Sequence, residues 1–164
     1  MKKTLTRVGI PALILALALI LAACGQETGE TTTPETTGSE FAFGSPADPA
    51  DADRVIEIET NDALRFEPAD ITVAPGETVT FRLSNDGSVV HDFTLGDQAT
   101  QDEHEAEMSE MDGMAHDEPN VATIPAGETA ELAWTFGDEG IVLVGCHQPG
   151  HYAAGMVGRV TIQA

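Results

Sequence analysis

The chain has 164 residues, with 28 acidic and 7 basic side chains and a formal net charge of −21. Three of the basic residues precede Cys24 and every acidic residue follows it, so the chain after Cys24 has four arginines, no lysine and a net charge of −24. Contacts with nucleic-acid phosphates require a basic surface, so this balance excludes nucleic-acid binding. Several explanations of the acidity stay open: adaptation to salty or acidic surroundings, simple solubility, and a partner that is basic or that meets a local neutral patch.

The N-terminus has the organisation of a secretory signal. Three basic residues are followed by a nearly continuous apolar run of 16 residues, Val8 to Ala23. A membrane span needs about 20 such residues, so the run fits a signal at residues 1–23 better, with an uncleaved anchor as the alternative. Leu21-Ala22-Ala23-Cys24 resembles the lipobox of bacterial lipoproteins, which implies that Cys24 is lipid-modified and becomes the new N-terminus. We therefore expect an extracytoplasmic protein that a lipid holds at the membrane of the cell envelope.

The cysteine count supports a special role for the second cysteine. Cys24 and Cys146 are the only two in the chain. If Cys24 carries lipid, Cys146 has no disulfide partner in an oxidising compartment, where a free thiol is prone to oxidation. Metal ligation is one good reason to keep a thiol there.

Two regions follow the predicted lipid site. Residues 24–53 contain mostly Thr, Glu, Gly, Pro, Ser, Ala and Asp, which predicts a disordered tether. Phe41 and Phe43 are its only large apolar groups, and whether they contact the domain stays open. Residues 54–164 show short alternating apolar runs between turn signals, which predict strands. These strands include residues 55–58, 71–73, 77–84, 89–95, 121–124, 132–136, 142–146 and 160–162. Seven or eight strands in about 110 residues predict an all-β domain, specifically an antiparallel β-sandwich.

Residues 97–120 interrupt the strand pattern. They are polar, acidic and rich in helix formers, so we predict an insertion that is helical in its middle. Its soft-metal donors are His104, Met108, Met111, Met114 and His116. The first three are spaced i, i+4 and i+7 and share one helical face. Two interpretations stay open: a lid whose Met face packs on the sandwich, and a weak, reversible metal site.

The strongest chemical signal lies near the C-terminus. Cys146, His151 and Met156 fall within eleven residues around a Pro149-Gly150 turn. A thiol, an imidazole and a thioether together favour copper, whereas zinc, the competing ion, seldom takes methionine. Strand parity points Cys146 inward, and it points His91 inward as a fourth donor. The remaining interpretation makes the cysteine and methionine core residues and the histidines surface residues.

The spacing Cys146-x4-His151-x4-Met156 resembles the C-terminal copper loop of the cupredoxins, a family that includes plastocyanin, azurin, pseudoazurin and halocyanin. Val90–Phe93 resembles the family's first ligand segment, and the resemblance covers residues 54–164. It implies a Greek-key β-sandwich or barrel with one type 1 copper near one end. The ligands that it implies are His91, Cys146, His151 and Met156.

Two features differ from better-known cupredoxins. Four residues separate Cys146 from His151, more than in plastocyanin, and Asp92 follows the first ligand where several members have Asn. A carboxylate near copper would favour Cu(II) and lower the reduction potential. His147 follows Cys146 directly, and neighbouring strand residues point to opposite faces. We predict that His147 is exposed, with a second metal or an electron path as alternatives.

The resemblance implies a single-electron carrier outside the cytoplasm. The alternative is copper sequestration or tolerance at the cell envelope, because residues 97–120 resemble an insertion in cupredoxin-like proteins linked to periplasmic copper tolerance. We do not expect an enzyme, since no open coordination position or acid–base pair is visible. The expected partners are a redox protein or a copper-handling system, and we expect a monomer.

Overall fold

The structure, a computed structural model, describes residues 41–110 and 118–164. These residues form ten β-strands, one α-helix and a short 3-10 helix, and no helix among them is long and apolar enough to cross a membrane. The elements are β1 Gly44–Pro46, the 3-10 helix Pro49–Asp51, β2 Arg54–Asn61, β3 Arg65–Glu67, β4 Asp70–Val73, β5 Thr78–Asn85, β6 His91–Gly96, α1 Gln98–Glu110, β7 Val121–Ile124, β8 Thr129–Phe136, β9 Gly140–Gly145 and β10 Val157–Ile162.

The strands form two five-stranded sheets. The first has the order β1-β8-β5-β2-β3 and the second the order β4-β10-β9-β6-β7. This confirms the predicted all-β sandwich with a short helical insertion. The prediction of purely antiparallel sheets is wrong, because β2 pairs with β5 and β4 pairs with β10 in parallel. Apolar alternation shows which face of a strand is buried and carries no information about the direction of its partner.

The core lies between the two sheets. Phe81 of the first sheet and Phe93 of the second have ring centroids 5.1 Å apart, and Phe66 meets Phe93 edge-on at 5.5 Å. The predicted inward face of β5 is confirmed, since Val79 and Leu83 are as deeply buried as Phe81. Burial of each such side chain stabilises the fold by about 1.5–3 kcal/mol, so this core provides a rigid base for the loops at its ends.

The segment before residue 54 corrects the predicted domain boundary. Strand β1 pairs with β8, and the rings of Phe41 and Phe43 lie 5.3 Å and 5.2 Å from the ring of Trp134. Gly44 has φ = 132°, and a Cβ there would lie 2.0 Å from the carbonyl oxygen of Thr135, so only glycine fits this close approach. Residues 41–53 therefore belong to the folded domain and not to a disordered tether. Two aromatic rings supply the apolar burial that the rest of the segment lacks.

Helix α1 confirms the predicted helix of the insertion, although it begins at Gln98 and so occupies the first half of residues 97–120. Asp97 caps it, because its Oδ1 accepts a hydrogen bond from the Thr100 N–H at 2.9 Å. Gln101 ties it to the second sheet, with Nε2 donating to the carbonyl of Thr94 in β6 at 3.0 Å and to that of Leu143 in β9 at 3.3 Å.

The inner face of α1 carries His104 and Met108, and both side chains are buried. This is the arrangement that the lid interpretation expects. Met111, Met114 and His116, the other donors predicted in the insertion, lie outside the described residues.

Candidate metal centre

His91 is the first residue of β6, and its side chain is fully buried, as strand parity predicts. The preceding turn is fixed by the buried side chain of Asn85. The Asn85 Nδ2 donates to the carbonyls of Val89 at 2.7 Å and Ile124 at 3.0 Å, while its Oδ1 accepts from the Gly87 N–H at 2.9 Å. The chain therefore enters β6 at a fixed place relative to β5 and β7, which sets the position of the imidazole.

Cys146 follows the last residue of β9 and is also fully buried. The backbone N–H of Asp92 donates to its Sγ at 3.4 Å, and the backbone N–H of Gln148 also hydrogen-bonds the sulfur. Burial strongly raises the pKa of the Cys146 thiol, the Asp92 carboxylate raises it further, and the two backbone donors oppose this shift. A thiolate at this place therefore needs a cation beside it.

The loop after Cys146 returns the chain to the sulfur. The His151 N–H donates to the Gln148 carbonyl at 2.9 Å, and the Met156 N–H donates to the His151 carbonyl at 3.1 Å. Gly150 has φ = 84°, a conformation that glycine adopts without strain. The Cys146 N–H then donates to the Met156 carbonyl at 3.1 Å, and the Met156 side chain is completely buried. The loop thus carries three of the four predicted ligands.

The donor atoms of His91, Cys146 and His151 converge. The Cys146 Sγ lies 3.8 Å from the His91 Nδ1 and 3.3 Å from the His151 Nδ1, and all three atoms lie within 4.8 Å of one another. An ion held about 2.3 Å from sulfur and about 2.0 Å from nitrogen would separate the two donors by roughly 3.3–3.9 Å at ordinary bond angles. The three side chains therefore fit a single ion without rearrangement.

Electrostatics favour the ligating form of both histidines. Burial lowers the pKa of His91, and the charge of a protonated His151 would lower it further. Burial also lowers the pKa of His151. Both shifts favour the neutral imidazole, which is the form that binds a metal. Of the remaining predicted site residues, Met156 is completely buried and its carbonyl accepts the Cys146 N–H, and Cys24 lies outside the described residues.

Comparison with known proteins agrees with this geometry. The family model described as copper binding proteins, plastocyanin/azurin family, matches residues 52–163. The chain belongs to this family. Copper is therefore the metal of the protein, and the thiolate and imidazole donors suit it.

The chain of this cupredoxin is similar over nearly its full length to proteins named copper-resistant cuproprotein CopI. It is 35% identical over 158 residues to the protein of Rubrivivax gelatinosus, covering 93% of this chain and 96% of the relative. It is 36% identical over 183 residues to the protein of Pseudomonas aeruginosa, covering 94% and 96%. Among solved structures, auracyanin A, a "blue" copper protein from Chloroflexus aurantiacus, is similar with a TM-score of 0.55 and 25% identity, covering 66% of this chain and 98% of that one.

Asp92 braces the copper loop of this cupredoxin. Its Oδ1 accepts a hydrogen bond from the His147 N–H at 2.6 Å, and its Oδ2 accepts from the Gln148 Nε2 at 3.2 Å. The buried carboxylate is thus occupied by two donors on the segment that follows Cys146. Asp92 acts on the sulfur in two ways, through the charge of its carboxylate and through the hydrogen bond from its backbone N–H.

The predicted exposure of His147 is wrong. Its side chain is buried, its Nδ1 lies 2.7 Å from the Glu105 Oε2 and its Nε2 lies 2.7 Å from the Gln101 Oε1. Its ring stacks on Tyr152 with centroids 4.5 Å apart and meets His104 edge-on at 5.0 Å. Parity does place His147 away from Cys146, but α1 covers that face. The contact partners Gln101 and Glu105 were not recognised in the sequence, although their i, i+4 spacing puts them on one side of the helix.

Proposed function

We propose that this cupredoxin is an extracytoplasmic copper-tolerance protein that sequesters copper at His91, Cys146, His151 and Met156. The similarity to two copper-resistant cuproproteins, at 35% and 36% identity and more than 90% coverage of both chains, carries the proposal. The signal-like N-terminus supports a position outside the cytoplasm, and lipid on Cys24 would hold the protein at the membrane.

The residues of the site are suited to retaining a copper ion. Two neutral imidazoles and a thiolate, all at least partly buried, replace water as ligands. The backbone donors of Asp92 and Gln148 stabilise the thiolate and keep its orientation. Because Cys146 is fully buried, its sulfur is kept from oxidants in solution. Bound copper supplies one-electron chemistry by alternating between Cu(I) and Cu(II).

Single-electron transfer through a type 1 site is the second candidate. The similarity to a structure described as a "blue" copper protein favours it. The local architecture supports it too, since the donors are fixed by backbone hydrogen bonds and by a close-packed core. A site whose ligands move little on changing oxidation state transfers electrons with a small reorganisation cost.

Growth in the presence of copper tests the tolerance proposal. A copper-sensitive bacterial host that secretes this protein should grow at higher copper concentrations than the same host with an empty vector. The Cys146→Ser variant should give no protection, because the site loses its thiolate. Equal secreted amounts are verified by immunoblotting. Full protection by the variant, or none by the wild type, would contradict sequestration at this site.

Optical spectroscopy tests the type 1 assignment separately. The purified protein loaded with one Cu(II) should be intensely coloured through its copper–thiolate bond, and Cys146→Ser should abolish the colour. Protection from copper together with a colourless complex would support the tolerance proposal and contradict the type 1 assignment. An intense colour without any protection would favour the electron carrier.

A further inference from the structure

A second group of side chains that could hold a metal ion comes from α1 and from the segment before β7. One imidazole nitrogen of His104 and one carboxylate oxygen each of Glu107 and Glu118 lie within 4.8 Å of one another. The His104 Nδ1 is 3.5 Å from the Glu118 Oε2. These three residues line a cavity of about 280 Å³, so an ion and a water molecule have room beside them.

The three side chains are supported by regular structure. His104 and Glu107 are spaced i, i+3 on α1 and share a helical face. Glu118 lies just before β7, where the Val121 N–H donates to its carbonyl at 3.1 Å. Asn120 anchors this segment to β6, since its Nδ2 donates to the Leu95 carbonyl at 2.7 Å and its own carbonyl accepts from the Leu95 N–H at 2.9 Å. The backbone on both sides of the group is thus fixed by regular structure, and the His104 side chain is buried.

The charges around the cavity favour a cation. Glu103 lines it together with Glu107 and Glu118, so three carboxylates surround one buried imidazole. No lysine or arginine is among the described residues that line it. In a chain with a net charge of −21, a bound divalent ion would offset this local repulsion.

The donor set selects a class of ion. Calcium and magnesium prefer sites made entirely of oxygen, and Cu(I) prefers thiolate and thioether donors. One imidazole with two carboxylates is the kind of set that binds Zn(II) or Cu(II), with a water molecule completing the coordination. We propose that His104, Glu107 and Glu118 form a second metal site for a borderline divalent cation, Zn(II) or Cu(II).

This site is separate from the copper centre and does not depend on the proposed function. The buried His147 lies between the two sites, because it directly follows Cys146 in the chain and its ring meets the ring of His104 edge-on. A protein that meets excess copper would thereby offer two environments: a sulfur-containing site buried in the sandwich, and a nitrogen and oxygen site closer to the surface.

Zinc titration of the full chain, with copper already bound at the first site, tests the proposal. We expect one Zn(II) to bind per chain in calorimetry. Glu107→Gln and Glu118→Gln should each weaken the affinity for Zn(II) by about 10- to 100-fold, since even mutation of residues that only hydrogen-bond the ligands has an effect of this size. Glu107 is exposed, so its variant should fold normally, which circular dichroism verifies.

Glu103→Gln is the matched control, because it removes the same charge from the same helix and cavity but lies outside the ligand group. We expect it to change Zn(II) affinity by less than about threefold, since an exposed charge acts weakly through water. An equal loss of affinity in Glu103→Gln would show diffuse attraction of cations and overturn the site. Absence of any Zn(II) binding beyond the first site would overturn it too.

The identity of the ion gives a second, independent measurement. Cu(II) should compete with the bound Zn(II), whereas Ca(II) and Mg(II) at the same concentration should not. Tighter binding of Cu(I) than of Zn(II) would mean that sulfur donors make the site, and would contradict the proposal. The Glu107→Gln variant should still protect cells from copper while its Zn(II) affinity falls, so failure of this site and failure of the copper-tolerance function are distinguishable.

Discussion

Cys146 shows how a single residue links the fold to its metal. Its sulfur is completely buried, and burial together with the Asp92 carboxylate raises the pKa of its thiol. Two backbone N–H groups aim at the sulfur but do not compensate for the lost hydration. The folded chain therefore stabilises the neutral thiol, and copper binding to Cys146, as proposed, would release a proton.

The two histidines give the copper-free protein a predictable dependence on pH. Because burial lowers the pKa of His91 and His151 in the folded state, the unfolded chain takes up protons that the folded chain does not. The free energy of unfolding therefore has its full value above the unfolded histidine pKa of about 6.5. It decreases as the pH falls toward the lowered pKa values of the folded state, because protons then bind to the unfolded chain. Urea unfolding between about pH 5 and pH 8 should show this decrease. A His91→Gln, His151→Gln double variant should give a flatter profile, and an unchanged profile would contradict the assignment.

Asp92 offers a test of the charge beside the copper. Asp92→Asn keeps an oxygen to accept the His147 N–H but removes the negative charge that acts on Cys146. Cu(II) should then be less favoured relative to Cu(I), and the reduction potential should rise by tens of millivolts, with about 59 mV for each tenfold change in relative affinity. Cyclic voltammetry measures this shift. Asp138→Asn, an exposed substitution at the other end of β9, is the control and should leave the potential unchanged. A potential that falls in Asp92→Asn would contradict the electrostatic role.

At the scale of elements, α1 is joined to the copper loop through Gln101 and Glu105, which both contact the His147 ring, and Gln101 also joins α1 to the second sheet. The side-chain amide of Gln101 forms hydrogen bonds with one backbone carbonyl of β6, with one of β9 and with the imidazole of His147. Gln101→Leu would therefore leave two backbone carbonyls and an imidazole nitrogen without this partner. We expect a loss of about 2–4 kcal/mol of unfolding free energy, since each buried unsatisfied group costs about 1–3 kcal/mol and partial rearrangement reduces the sum. Chemical unfolding measures the loss. Gln98→Leu on the exposed start of the same helix should cost far less, and equal losses would contradict the bridging role.

The predictability of the elements depended on how local their signal is. Strands such as β5 were predictable because Val79, Phe81 and Leu83 alternate with polar residues over a long run. Strand β1 was missed because Gly44–Pro46 has no apolar alternation, and it is held by pairing with β8 and by neighbouring aromatic rings. The parallel pairing of β2 with β5 was also missed, since a half-buried strand has the same alternation beside either kind of partner.

The residues of the candidate site also differ in how far the local sequence predicts their surroundings. The proximity of Cys146 and His151 was predictable because one short loop carries them, and strand parity gave the burial of His91. The role of Met156 as a ligand stays a prediction. The environment of His147 was not predictable, because it depends on Gln101 and Glu105, more than forty positions earlier in the chain. Local parity gives the direction of a side chain, whereas its burial depends on what packs over that face.

At the scale of the whole molecule, acidic charge dominates the surface. The chain has 28 acidic and 7 basic residues. Three of the four described arginines pair with acidic neighbours: Arg54 with Glu77, Arg82 with Glu57 and Glu131, and Arg159 with Asp70. Exposed pairs of this kind contribute about 0–1 kcal/mol each, so they do not compensate for the repulsion among the remaining carboxylates. The folded state, which brings these charges closer together than the unfolded chain does, is therefore destabilised by its own charge at neutral pH.

Salt should relieve this repulsion and stabilise the protein. Raising sodium chloride from about 0.05 M to about 0.5 M shortens the range of charge interactions to less than 10 Å, so the urea midpoint at pH 7 should increase. The control is the same pair of measurements near the isoelectric point of about 4.2, where the net charge vanishes and the increase should vanish with it. Copper-free protein is used at both pH values, so that changes in metal affinity do not contribute. An equal increase at both pH values would show that salt acts through general solvation, and would contradict self-repulsion as the cause.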